Sequence, residues 1–198
     1  MENNVYTAPD ARLIDDSNAQ DAGEQVGEHY VLPQLKLWIF SMLSSGIFLL
    51  PWSYMHWRRI KQNDKSDIWP VPRAIFGVLF IHSLFTRFDR SKNDSGSEYT
   101  WSPGINAALF IIFSMIGNLM DLVYERASIT IDAWYWVLFM CSWVIPIIAI
   151  SNAQRVANIA LNDPKGESNS KWTVSNFLWL AVCIAFWALA IFGWFGSL

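Results

Sequence analysis

Four stretches of this chain contain no Asp, Glu, Lys or Arg at all: residues 37–57, 100–120, 133–154 and 172–198. Each is long enough to cross a hydrocarbon layer about 30 Å thick, which takes roughly 20 apolar residues. Four such windows in 198 residues leave no polar outer faces from which helices could build a water-soluble surface. The expected fold is therefore all-α, a polytopic transmembrane helix bundle. Charged residues make up only 16% of the chain, against about 25% in a soluble domain, and they crowd into the remaining segments.

Those segments differ in kind. Residues 1–36 carry seven acidic groups against Arg12 and Lys36 and have no basic region leading into an apolar core. They read as a mostly disordered acidic tail, not as a signal peptide. The first window, with a span expected over about 37–55, is interrupted by Gly46 and Pro51. It closes on Trp52, Tyr54 and Trp57 followed by Arg58, Arg59 and Lys61. Aromatic residues ahead of basic ones mark a helix leaving hydrocarbon, so these six, with Arg73 and Arg87, are expected to anchor at the membrane surface. Asn63-Asp64, Pro70 and Pro72 break the chain beyond.

The segment 73–90 is uncharged only over 74–86, too short to cross. At helical pitch Phe80, Ile81, Leu84, Phe85 and Phe88 gather on one side and His82, Ser83, Thr86, Asp89 and Arg90 on the other, with Ile75 and Leu79 misplaced among the polar positions. Charge decides its placement. If it lies at the interface as an amphipathic helix, eleven basic residues share one face against Arg12, Lys36 and Arg126 on the other. If it crosses, the faces hold six and eight. Cytoplasmic loops are enriched in Lys and Arg, which selects four spans plus one interfacial amphipathic helix. That arrangement puts both termini on the outer, periplasmic side.

The remaining spans are expected over about 103–120, 133–152 and 173–196. Ser102-Pro103 has the form of a cap followed by proline at the first helical position, and Asp132 is a capping candidate for the third span. Pro146 falls inside that span and should kink it. The helix should continue past Ser151 into water, to be stopped by Asp163-Pro164. On this extension Gln154, Asn158 and Asn162 form a polar stripe, read either as a docking surface or as a wet helix face.

Groups able to carry chemistry are few. Asp121 and Glu125 lie one turn apart at the outer end of the second span, a cation or proton site or else a solvated helix end. His82 is a candidate pH-sensitive group or metal ligand, although His29 and His56 are distant in sequence and no carboxylate motif accompanies it. Cys141 and Cys183 have no metal-site spacing and read as small hydrophobes. No catalytic elbow, zinc motif or phosphate-binding loop occurs. No catalytic residue, cofactor or metal is expected, and the juxtamembrane basic cluster points to anionic headgroups and not to nucleic acid.

Three groups of residues look familiar together. They are Pro51-Trp52-Ser53-Tyr54-Met55-His56-Trp57, then Trp69-Pro70-Val71-Pro72-Arg73-Ala74-Ile75-Phe76 running on to His82-Ser83-Leu84-Phe85, and finally Ala157-Asn158, Asp163-Pro164, Asn169, Thr173 and Asn176. The pattern resembles a family of uncharacterised small polytopic membrane proteins of Gram-negative bacteria over roughly residues 37–198. Pro51-Trp52-Ser53 stands where that family more often has aromatic residues. The resemblance implies a bacterial inner membrane and carries no activity with it.

The reading that follows is a non-enzymatic inner-membrane protein that binds a partner or assists assembly in the envelope, an immunity-type protein being one specific form. Its company would be the bilayer, with a protein partner or a second copy. The alternative is a small oligomeric transporter or channel. A lipid-modifying enzyme using His82 would need a carboxylate or metal partner that the sequence does not supply.

Overall fold

The computed structural model describes residues 27–127 and 133–196, apart from a few side chains near the ends of two helices. Among the described residues the chain is helical, with no strand. The helices are α1 (Gln34–Leu43), α2 (Leu49–Asp64), α3 (Pro70–Ile75), α4 (Gly77–Asp94), α5 (Pro103–Ala127), α6 (Ala133–Ala160) and α7 (Val174–Gly196), with a short 3-10 turn at Glu167–Asn169.

Three helices are long and apolar enough to cross a membrane, over Pro103–Tyr124, Ala133–Ala160 and Val174–Gly193. These are the second, third and fourth expected spans. The first is not among them. The apolar run that was to cross at 37–55 breaks after Leu43, where Ser45 (φ 50) and Gly46 (φ 86) take left-handed conformations. Gly46 N–H returns to Ser41 O and Ser45 N–H to Met42 O, closing α1. Ser44 Oγ then accepts the N–H of Phe48, just ahead of α2. Pro51 falls in the first turn of α2, where its missing N–H costs nothing.

The chain then comes back. Tyr30 N–H donates to His56 Nδ1 at 3.3 Å, so residues 30 and 56 lie side by side. Between them α1 descends ten residues, about 15 Å, and α2 retraces the distance. The result is a helical hairpin about 15 Å long, half the thickness of a hydrocarbon core. A continuous helix fails here because the Ser44-Ser45-Gly46 turn is satisfied locally and because the side chains of α2 find polar partners on the side from which α1 entered.

The hairpin, α3, α4 and the C-terminal half of α6 together form a packed head. Its core contains Leu37, Trp52, Trp57, Ile60, Leu84 and Phe88, all at most 1% exposed. The helix expected at 73–90 is two pieces, α3 and α4, kinked at Phe76 (φ −91, ψ 37). The expected apolar face is largely the buried one, with Ile81, Leu84, Phe85 and Phe88 inward on α5 and α6. Ile75 and Leu79 remain 61% and 75% exposed. Neither piece is among the helices long and apolar enough to cross.

Local expectations elsewhere hold. Ser102 Oγ accepts the N–H of Ile105 and Pro103 opens α5. Pro146 lies inside α6, which runs on to Ala160 and ends ahead of Asp163-Pro164. There the Asp163 carboxylate takes the N–H groups of Glu167 and Ser168. Asp132 lies outside the described residues. Within the bilayer region α5 and α6 meet closely at Gly117, where a Cβ would come 3.0 Å from Ser142 Oγ, the small-residue contact that lets membrane helices approach. Helix α7 is held mainly by α1, with Trp187 Nε1 donating to Leu43 O at 2.8 Å.

The tail expected over 1–36 gives way earlier than expected. Residues 27–33 form an irregular segment with a bend at Glu28-His29, and Gln34 begins α1, while residues 1–26 lie outside the described residues. Lys36 is buried in the head, its Nζ donating to Asn169 O, Lys171 O and Asn176 Oδ1, with the Trp172 ring 5.6 Å away. Burial pulls its pKa below the usual lysine value.

Candidate functional site

An irregular segment buried without a neighbouring strand must find other partners for its N–H and C=O groups, because each left unpaired costs about 1–3 kcal/mol. Residues 29–32 solve this with side chains. Asn158 behaves like a facing peptide unit, its Oδ1 accepting Leu32 N–H at 3.3 Å and its Nδ2 donating to Leu32 O at 2.9 Å. Gln154 Nε2 donates to Tyr30 O, and Asn169 Nδ2 to Val31 O. Arg59 donates to His29 O at 3.2 Å. The lattice closes through Gln154 Oε1, which accepts from Trp52 Nε1 at 2.6 Å and lies 3.1 Å from His56 Nε2, while Gln154 Nε2 also donates to Asn158 Oδ1.

These bonds fix the chemistry of His56. Its Nδ1 accepts from Tyr30, so Nε2 carries the proton and donates to Gln154, and the ring is neutral. Burial drives its pKa well below the usual histidine value, helped by neighbouring His29 and Arg59 and opposed by the Gln154 bond. His29 is driven to about 3, first by burial and then by Arg87, with Arg59 adding and Asp64 opposing. Neither ring nitrogen of His29 has a hydrogen-bond partner, and the ring packs edge-on against Phe88 at 4.8 Å. Glu28 Oε2 comes only to 3.8 Å.

Gln154 and Asn158 therefore stand corrected. They are neither a docking stripe nor a wet face, being 0% exposed at the centre of the head. The extension of α6 does not run into water either, since the hairpin and the 29–33 segment cover it. Asn162, the third member of the expected stripe, has left the helix with φ 58.

The expected anchors divide. Trp52 and Trp57 are core residues, 1% and 0% exposed, and do not face headgroups. Arg73 stacks over Trp57 and Phe80, Arg59 is spent on His29, and Arg87 pairs with Asp64. Tyr54, half-buried, and the exposed Arg58 and Lys61 remain at the surface. His82 is exposed on α4, apart from the other two histidines. Asp121 and Glu125 stand on the far part of α5, and their side chains lie outside the described residues. The structure thus brings together Gln154 and Asn158 and leaves the other candidates scattered.

Sequence reasoning missed Trp52, His56, Asn169 and Lys36 as polar partners. One signal was available. Gln154 and Asn158 continue the apolar face of Ile147, Ile150 and Ala157, and polar residues on a core-facing stripe must be meeting polar groups.

Below the lattice, at the tip of the hairpin, lies a cavity of about 470 Å³. Its walls include Ser45, Gly46, Gly117, Ser142, Trp143 and Trp187, and among the described residues no charged side chain lines it. Trp143 Nε1 is buried without a hydrogen-bond partner. Among the described residues no three His, Cys, Asp or Glu gather as a metal site would require, and both cysteines are free thiols.

No protein-family model, no curated protein and no solved structure matches the chain. The family resemblance stands on its motif residues alone.

Proposed function

We propose that this is a non-enzymatic binding protein of a bacterial inner membrane, which accepts an apolar segment of a partner protein during assembly in the envelope. The observation that carries this reading is the uncharged cavity under the hairpin tip, at the depth of the mid-parts of α5 and α6. The turn at Gly46 borders a notch that Gly117 and Ser142 also line, with the hydroxyls of Ser45, Ser114 and Ser142 in its walls to orient an occupant. Further support comes from the head, where His56, Gln154 and Asn158 are fully committed to holding the backbone. A transporter or channel is less well supported, because ion coupling draws on charged groups at membrane depth.

Orientation follows from the hairpin. Because the chain returns, every Lys and Arg from Lys36 to Lys171 except Arg126 belongs to the head side. That bias exceeds the one expected with four spans and supports a cytoplasmic head. The N-terminus then lies inside with it, and only the C-terminus stays periplasmic.

The test is site-specific photocrosslinking in intact membranes. A photoreactive side chain at Leu49, in the cavity wall, should trap a discrete protein adduct that the same group at Leu189, on the outer surface of α7, does not. Adducts at both positions consisting of phospholipid alone would overturn the reading.

A further inference from the structure

The outer side of α2 carries a second site, distinct from the cavity under the hairpin. An open groove of about 610 Å³ runs between α2 and the start of α3. Arg58, Lys61 and Lys65 line it at intervals of three and four residues, so all three present to one face over about 10 Å. All are exposed, and none makes a hydrogen bond or ion pair among the described residues. Arg59, Arg73, Arg87 and Lys92, by contrast, are engaged by a carbonyl, aromatic rings or a carboxylate. Asp67 is the acid lining the groove, and nearby Asp64 is already held by Arg87. Three cations against one free carboxylate leave the groove positive. Tyr54 adds an unengaged hydroxyl at its lower end.

The groove does not end in water. Its outer wall at Pro70 and Val71 continues along α3 and α4 as exposed apolar surface, with Trp69 72%, Ile75 61% and Leu79 75% exposed. Its inner wall continues down α2 into a second, apolar cleft of about 140 Å³ between Leu50, Ser53, Ile75, Gly77 and Val78, which reaches Gly46 at the hairpin tip. The cationic groove and the apolar cleft share no lining residue but are both bounded by α2 and the 70–78 segment, and Arg58 lies only about 8 Å along α2 from Ser53 of the cleft, within the reach of one lipid molecule. A molecule complementary to both halves has a phosphate-bearing anionic head and a hydrocarbon chain.

We propose that the α2–α3 groove binds an anionic phospholipid, with its phosphate at Arg58, Lys61 and Lys65 and one acyl chain in the cleft beside Gly77. The proposal rests on the placement of the head at a membrane surface and not on what fills the central cavity. The same cations could attract free phosphate, so the apolar cleft is the distinguishing element. Gly77 is a convenient handle there, because a Cβ added to it meets nothing within 4 Å and its backbone is not left-handed.

The experiment measures lipid retention by the full-length protein in mild detergent, using native mass spectrometry with phosphatidylglycerol and phosphatidylcholine of identical chains. The wild type should retain phosphatidylglycerol with at least about tenfold preference. Combining Arg58→Gln, Lys61→Gln and Lys65→Gln should weaken it by about a hundredfold, from roughly 1 kcal/mol for each cation, and erase the preference. A control combining Arg90→Gln, Lys165→Gln and Lys171→Gln, also exposed, should keep it. Gly77→Leu should fill the cleft and lower retention of both lipids while the fold and melting temperature persist. Unchanged preference in the first triple variant, equal loss in the control, full retention by Gly77→Leu, or displacement by millimolar inorganic phosphate would each overturn the proposal.

Discussion

The apolar run at 37–57 and the span Pro103–Tyr124 are nearly equal in length, yet one returns and the other is long enough to cross. The difference is not in how much they like oil. Helix α5 meets its neighbours through small-residue contacts such as Gly117 with Ser142 and carries nothing in its middle that needs a distant polar partner. The hairpin carries Trp52 and His56 on its returning limb, and both find Gln154, the residue that also holds Tyr30 on the entering limb. Length permits crossing. Polar partners at the point of entry, with a locally satisfied turn halfway, decide against it.

The sharpest way to break this comparison is an all-or-none measurement. In a background with Cys141 and Cys183 replaced by alanine, cysteines placed at Asn3 and Ser97 should react with an impermeant maleimide from the same side of sealed vesicles. One at Arg126 should react from the other. Labelling of Asn3 together with Arg126 would mean that the first apolar run crosses after all.

The next largest effect concerns the lattice. Asn158→Leu leaves Leu32 N–H, Leu32 O and a Gln154 donor without their partner, at about 1–3 kcal/mol each. A loss of roughly 3 kcal/mol or more should appear in unfolding followed by tryptophan fluorescence. Val137→Ala, on the exposed membrane half of the same helix, should change stability by under about 1 kcal/mol. If the two costs were alike, the lattice would not be what pins the hairpin.

Acid should loosen the same region. Both buried imidazoles have pKa values lowered in the folded protein, so they bind protons on unfolding once the pH drops below about 6.5. Their contribution to stability is complete above that value and is lost as the pH falls toward the folded pKa, about 3 for His29. Two such groups predict a loss of about 2 kcal/mol between pH 6.5 and 5.5. His29→Leu, which removes one group without breaking a hydrogen bond, should halve that slope. A flat profile down to pH 5 would contradict the burial of the pair.

The smallest effect separates two glycines. Gly166 has φ 72, and a Cβ there would lie 2.7 Å from Pro33 N. Gly166→Ala should therefore cost about 2 kcal/mol, from left-handed strain and displacement of the 29–33 segment. Gly77→Ala meets open space and should be neutral or gain about 0.5 kcal/mol. Equal melting temperatures for the two variants would remove the packing of the 163–170 loop on the entering segment from the account.

What the sequence made legible is what local chemistry controls. The three helices long and apolar enough to cross, the Ser102-Pro103 start, the stop at Asp163-Pro164 and the buried stripe of α4 all follow from runs, caps and periodicity within one turn or a few. The hairpin did not. Gly46 and Pro51 were visible as interruptions, but a glycine in a long apolar run fits a tolerated kink as well as a reversal. The roles of Gln154 and Asn158 depend on residues 29–32, up to 126 positions away. That segment, His29-Tyr30-Val31-Leu32, is too short to show a periodicity that would reveal its partners.

The separation of 126 positions between Leu32 and Asn158 also has a cost in time. A ribosome adds about 5–20 residues each second, so roughly 6–25 seconds pass after Leu32 is joined to the chain before Asn158 exists. Throughout that interval the nascent hairpin has neither the partners that hold it nor a transmembrane alternative that its polar groups would tolerate. Slowing translation between residues 64 and 150 should therefore increase its proteolysis more than that of α5.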